Sequence, residues 1–403
     1  MKLTFVSNYI NHHQIPLSNE LYRLLGEGYT FIQTEPMEEE RLRMGWQDEG
    51  GKLPYLRLFY EEREYCERLI LESDAVIFGG TDEESYIKPR LAAGKPVFRY
   101  SERIYKSGQW KMITPRGLKK KYEDHTRYRK GAVYLLCAGG YVASDFHLVR
   151  AYPDKMLKWG YFPETKNLHK ETLLGKHKEG TVSLMWAGRF IDWKHPELPI
   201  LLAERLKKKG VPFHLSMAGG GEMEEEIRRL TAEKGLEKEV TFCGYKKPFE
   251  VREMMEQTEV YLITSDYKEG WGAVLNEAMN SGCAVVTSHA IGAAPFLIRH
   301  GENGLVFQSG DLNDLEKQTE RLIKSEAERR KLGAAAYETI RQEWNAEKAA
   351  GRLVKMAEAL LGGKIPAGET VVQNIESLAY EAGPLSVAEV ISPGRMYGHL
   401  TGN

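Results

Sequence analysis

The chain has 403 residues, 42% of them hydrophobic, and its 56 Lys and Arg nearly balance its 57 Asp and Glu, for a formal net charge of -1. This length exceeds what one hydrophobic core usually organises, so two domains are expected, and the charge balance excludes a global pull towards nucleic acid. Cys66, Cys137, Cys243 and Cys283 lie far apart, without CxxC or metal-ligand spacing, and read as buried thiols in a reducing cytosol.

In chain order, Met1 to Ser7 is too short and too quickly polar for a secretion signal and reads as a first buried strand. Apolar segments at 3–6, 29–33, 75–78, 96–99 and 132–137 alternate with helical patterns at 16–25, 56–72 and 87–93. Such a βα alternation predicts a parallel sheet covered on both faces. The longest nearly apolar run, 132–143, falls short of the roughly 20 residues that a membrane-spanning helix needs. A cytoplasmic protein is therefore expected, at most peripheral on the inner face of the cytoplasmic membrane.

The pattern breaks at 159–163 and through the charged stretch 164–180, where a linker is expected. A second alternation follows, with strands at 181–187, 212–218, 240–243, 260–263 and 284–287 and helices at 196–208, 223–234, 249–257 and 273–281. It predicts a five-stranded doubly wound unit, closed by helices at 312–324 and 326–360, the last ended by Gly362 and Gly363. The expected division is 1–165 and 178–345 as two Rossmann-like α/β domains, with 346–403 as a helix and tail returning to the first.

Three constellations carry chemistry. Arg189 and Lys194 follow the strand at 181–187, and ligands of open α/β sheets collect beyond the carboxyl ends of strands, so the pair is placed for phosphate. Gly219, Gly220 and Gly221 follow the next strand, where glycine lets backbone approach a ligand, although a triple glycine also serves as a plain tight turn. Glu269 stands in a glycine-flanked turn after the strand at 260–263, and Glu277 lies eight residues on in a helix. At ~1.5 Å per helical residue that spacing spans ~12 Å, about the distance from sugar to ribose in a nucleotide sugar.

Ala187-Gly188-Arg189 with Lys194, Gly219-Gly220-Gly221, Gly244-Tyr245, Glu269-Gly270-Trp271-Gly272, Glu277-Ala278-Met279 and Gly301-Glu302-Asn303-Gly304 together resemble the retaining GT-B glycosyltransferases of family 4, also called glycosyl transferases group 1. The resemblance is dense from about 181 to 312 and only architectural before that. It implies a GT-B fold, two Rossmann-like doubly wound domains facing a central cleft, with the acceptor on the first and the nucleotide sugar on the second. It implies further that Glu269 bonds hydroxyls of the donor sugar, that Gly270, Trp271 and Gly272 offer backbone amides, and that Glu277 holds the ribose. Arg189 and Lys194 would stabilise the departing diphosphate. Gly188, Gly219, Gly220 and Tyr245 would complete the donor site, Tyr245 beside the base.

The family's histidine after the fourth strand has no counterpart in Val97-Phe98-Arg99-Tyr100-Ser101-Glu102, which leaves Glu102, His12 and His13 as acceptor-side candidates. No D-x-D triplet occurs and no residues show metal-ligand spacing, so no metal and no cofactor is expected beyond the nucleotide sugar as co-substrate. The expected reaction moves a sugar, from UDP by family frequency, to a saccharide or lipid-linked acceptor in cell-surface polysaccharide assembly. A catalytically silent nucleotide-sugar-binding partner, a phosphorylase or a sugar-nucleotide epimerase are the alternatives. The segment 103–130, dense in Lys and Arg and interleaved with Tyr105, Trp110, Tyr122 and Tyr128, reads either as a solvated helical face or as a contact with anionic lipid.

Overall fold

Short, continuously apolar segments build a sheet in each half of the chain. In the computed structural model, which describes residues 1–39, 53–110, 114–169, 173, 175–176, 180–362 and 382–402, the first sheet comprises Leu3–Ser7 (β1), Tyr29–Gln33 (β2), Leu56–Leu58 (β3), Ala75–Gly79 (β4), Val97–Ser101 (β5), Val133–Ala138 (β6) and Met156–Trp159 (β7). Its order is β3-β2-β1-β4-β5-β6-β7, with every pairing parallel. All residues of β1, β4 and β6 are buried, as expected of parallel strands with helices on both faces.

The second sheet comprises Val182–Ala187 (β8), Phe213–Ala218 (β9), Val240–Gly244 (β10), Val260–Ile263 (β11), Ala284–Ser288 (β12) and Leu305–Phe307 (β13). Its order, β10-β9-β8-β11-β12-β13, is again wholly parallel. Leu184, Trp186, Leu215, Met217, Leu262 and Val286 of its strands share one core with Leu198, Leu202 and Leu206 of helix Glu197–Lys208 and Leu315 and Leu322 of helix Leu312–Lys324. Arg329 ties helix Glu326–Gln342 to this sheet through a buried ion pair with Glu259 at 3.1 Å.

The chain forms two compact units, 1–164 with 343–391, and 165–342 with 392–403. In the first, helix Ala346–Leu361 packs against helix Ile15–Leu25. Residues 385–388 line the outer edge of β7, where the Lys158 amide donates to Ser386 O and the Leu385 amide to Lys158 O, both at 2.7 Å. An otherwise open sheet edge is thereby covered. In the second unit, helix Pro393–Thr401 packs beside β13.

Both sheets exceed expectation. The helix expected over 56–72 is strand β3 followed by a helix starting only at Arg63, because three residues are too few to show a period of two. β7, not expected from sequence, ends at Trp159, where the expected linker begins. Arg150, Tyr152 and Asp154 before it all take positive φ, a turn that hydrophobic periodicity cannot reveal. β13 makes the second sheet six-stranded, not five. The single helix expected over 326–360 is two, Glu326–Gln342 and Ala346–Leu361, separated where Asn345 caps the second by accepting from the Lys348 amide at 2.9 Å. Residues 364–381 of the tail lie outside the described residues, as does part of the basic segment, 111–113.

Candidate functional site

In the second unit the chain leaves β8 outward to β9 and β10, then returns to place β11 on the other side of β8. The carboxyl ends of β8 and β11 thus flank the switch point, where doubly wound sheets hold their ligands. The loops from these two ends carry Arg189, Lys194 and Glu269.

Sequence folds these loops onto each other. Thr264, directly after β11, donates to Lys194 O at 2.6 Å and accepts from the Trp186 indole N–H at 2.8 Å. This fixes the single-turn helix Asp192–Lys194 against the β11 loop. The Glu269 amide bonds Asp266 O at 3.1 Å, closing a turn over 266–269. Each residue of that turn is tethered. The Asp266 amide donates to Trp193 O at 2.9 Å, the Tyr267 hydroxyl meets His289 Nε2 at 2.7 Å, Lys268 Nζ donates to Asp192 at 2.9 Å, and Glu269 forms an ion pair with Lys194. Arg189 lies over the Trp193 ring, its guanidinium carbon 5.6 Å from the centroid. His195, at φ 51°, is held by Glu197 at 2.8 Å, a carboxylate that raises the imidazole pKa.

The glycine loop has a geometric reason. A Cβ on Gly219, whose φ is 122°, would lie 2.0 Å from Gly188 O, and one on Gly221 would meet Phe190 O at 2.7 Å. The Phe190 amide in turn donates to Gly220 O at 2.9 Å, so the loops after β8 and β9 are laced together at backbone contact. Tyr245, after β10, is 60% exposed and leans on Gly220, where an added Cβ would come within 2.8 Å of its ring. Gly188, Gly219, Gly220 and Tyr245 are therefore brought to one edge.

Trp271 is buried, and its indole donates to Asn276 Oδ1 at 2.8 Å, fixing the start of helix Val274–Asn280. Gly272 takes φ 88° beside the Glu269 side chain. Glu277, in the first turn of that helix, is half-buried, and desolvation pushes its carboxyl up to about 7 although Arg252 draws it back. Arg252 is itself buried and donates to Asn280 Oδ1 at 2.7 Å.

The first unit carries the other candidates. His12 and His13 follow β1 with ring centroids 3.9 Å apart, His13 stacks on Tyr161 at 6.1 Å, and the Tyr161 hydroxyl donates to Glu102 at 2.8 Å. Glu102 also accepts from Lys106 at 2.5 Å. Tyr161, which joins residues from the ends of β1 and β5, escapes sequence reasoning because it lies where a linker was expected. In the second unit Thr264, Tyr267, Arg252 and His289 escape it too; only Thr264 and His289 offer a signal, as polar residues just after a strand.

Two Rossmann-like units with a doubly wound parallel sheet apiece define the GT-B fold class. Residues 173–339 match the family model described as glycosyl transferases group 1. Amylovoran biosynthesis glycosyltransferase AmsK of Erwinia amylovora is 27% identical over 208 residues, 50% of this chain and 50% of that protein. N-acetyl-alpha-D-glucosaminyl L-malate synthase of Bacillus anthracis is 31% identical over 138 residues, 34% of this chain and 35% of that protein. The chain thus spans half or less of the length of these curated relatives. In fold it is similar to Anabaena HepE in complex with UDP, at a TM-score of 0.66 and 13% identity over 89% of this chain and 100% of that one. It is also similar to the apo form of the lipopolysaccharide outer core galactosyltransferase WaaB, at 0.63 and 16% over 89% and 99%.

Proposed function

We propose that this protein is a retaining glycosyltransferase that moves a sugar from a nucleotide donor, a UDP-sugar by preference, to a saccharide or lipid-linked acceptor in cell-surface polysaccharide or glycoconjugate assembly. The observation that carries this reading is the ion pair of Lys194 and Glu269 across the switch point of the second sheet. The pair holds opposite charges together at the place where a diphosphate and a sugar would separate them. Lys194 and Arg189 would then face the phosphates, whose charge grows as the sugar departs, and Glu269 would turn to sugar hydroxyls. Glu277 would take the ribose and Tyr245 the base. UDP is favoured because HepE and TarM are described in complex with it.

The acceptor reading rests on the first unit, where Glu102, Tyr161, His13 and His12 form one chain of contacts. Retention would follow if the leaving phosphate helps deprotonate the acceptor on the same face, so no protein base is required. Metal independence belongs to the same proposal. Cytoplasmic placement with peripheral membrane contact is supported by helix Pro115–Asp124, which exposes Leu118 and Tyr122 beside Lys119 and Lys120. Among the described residues no helix is long and apolar enough to cross a membrane. Cosedimentation with anionic liposomes at low salt tests this contact, and its absence removes the membrane part.

Alanine at Arg189, Lys194 and Glu269 tests the site. Each should lower transfer by about 100-fold or more, the usual loss when a charge-stabilising group is removed. Wild-type rates in all three would refute the assignment, and donor binding without transfer by the wild type would favour the silent partner.

A further inference from the structure

One tether of the turn that bears Glu269 leads away from the β8 loop. Tyr267, the first central residue of the turn, meets His289 Nε2 through its hydroxyl at 2.7 Å. His289 follows β12 and is 5% exposed. Its Nδ1 accepts from the Ser309 amide at 3.0 Å, so that nitrogen carries no proton. The remaining proton of the neutral ring therefore sits on Nε2 and is donated to Tyr267. Burial lowers the pKa of this imidazole and keeps it neutral.

The far side of His289 is closed by helix Pro393–Thr401. The Tyr397 ring meets the imidazole edge to face, with centroids 5.5 Å apart, and the Tyr397 hydroxyl donates to Asp314 Oδ2 at 2.6 Å. Asp314 also accepts from the Gln308 amide at 2.8 Å, next to the Ser309 that fixes the His289 tautomer. Met396 of the same helix is fully buried. Thus one side chain from a segment more than a hundred residues beyond β12 holds the ring that holds the turn.

We infer that Tyr267, His289 and Tyr397 are positioning residues through which helix Pro393–Thr401 fixes Glu269 for the donor sugar, an inference that rests on the donor reading above. None of the three is required to touch the nucleotide. Its consequence is selective: loosening the relay should weaken recognition of the sugar while leaving the nucleoside diphosphate, held through Lys194, Arg189 and Glu277, bound as before.

The test measures affinities for the UDP-, GDP- or ADP-sugar that raises the wild-type Tm and for the matching nucleoside diphosphate. Wild type, Tyr267→Phe, Tyr397→Ala and the double variant are compared. Each single variant should bind the diphosphate within about twofold of wild type and the nucleotide sugar about fivefold more weakly, and the double variant should lose no more than the larger single effect, as expected of residues acting in series. Unchanged sugar affinity, parallel loss of both ligands, or additive effects would overturn the relay. Wild-type protein that binds neither ligand would instead refute the donor reading itself, and the relay with it.

Discussion

Glu277 makes the sharpest statement at the scale of one residue. Its folded pKa of about 7 lies above the ordinary value of 4.5, so the native state binds more protons than the unfolded chain between these values. Stability is therefore lost as pH rises through that window and stays lower above it. Glu277→Gln removes this penalty. It should raise stability by on the order of 1–2 kcal/mol at pH 8 and leave it nearly unchanged at pH 4, as read by denaturant titration at both pH values. A residue kept at a cost to stability is what a binding role predicts. The spacing of Glu269 and Glu277 was legible in sequence, and so was the cation Lys194, but their partnership was not. The ion pair joins residues 75 positions apart on two loops (269 − 194), which only the sheet order brings together.

At the scale of elements, the loops are set by Thr264 and the glycines. Thr264→Val strips the Trp186 indole of its acceptor and releases Lys194 O, so it should cost about 1–3 kcal/mol in a denaturant titration and also slow transfer. Gly219→Ala combines a left-handed φ with a backbone clash against Gly188 O, and a loss of at least about 2–4 kcal/mol is expected, seen as a lower Tm. The strands with long apolar runs, β1, β4, β6, β8 and β12, were readable because burial on both faces demands such runs. β3, β7 and β13 were not, since each has three or four residues and β7 carries Lys158. The break between helices Glu326–Gln342 and Ala346–Leu361 depends on one Asn cap, a signal easily lost in a continuous helical period.

For the whole molecule, the chain passes from one unit to the other more than once: residues 343–391 belong with the first sheet and 392–403 with the second. Residues 346–403 were expected to return to the first domain, and the passage of 392–403 to the second unit escaped sequence reasoning, because amphipathic helices announce that they will be buried but not against which core. The buried Arg329–Glu259 pair anchors helix Glu326–Gln342 to the second sheet, and Arg329→Met should cost about 3–5 kcal/mol by leaving Glu259 uncompensated. The central claim is that this second unit holds a nucleotide sugar, and a thermal-shift panel of UDP-, GDP- and ADP-sugars tests it most directly. A donor at about 100 times its Kd should stabilise the native state by about 2.7 kcal/mol and raise the wild-type Tm, with the rise largely lost in Glu277→Gln. No rise with any nucleotide sugar, or an equal rise in Glu277→Gln, would contradict it.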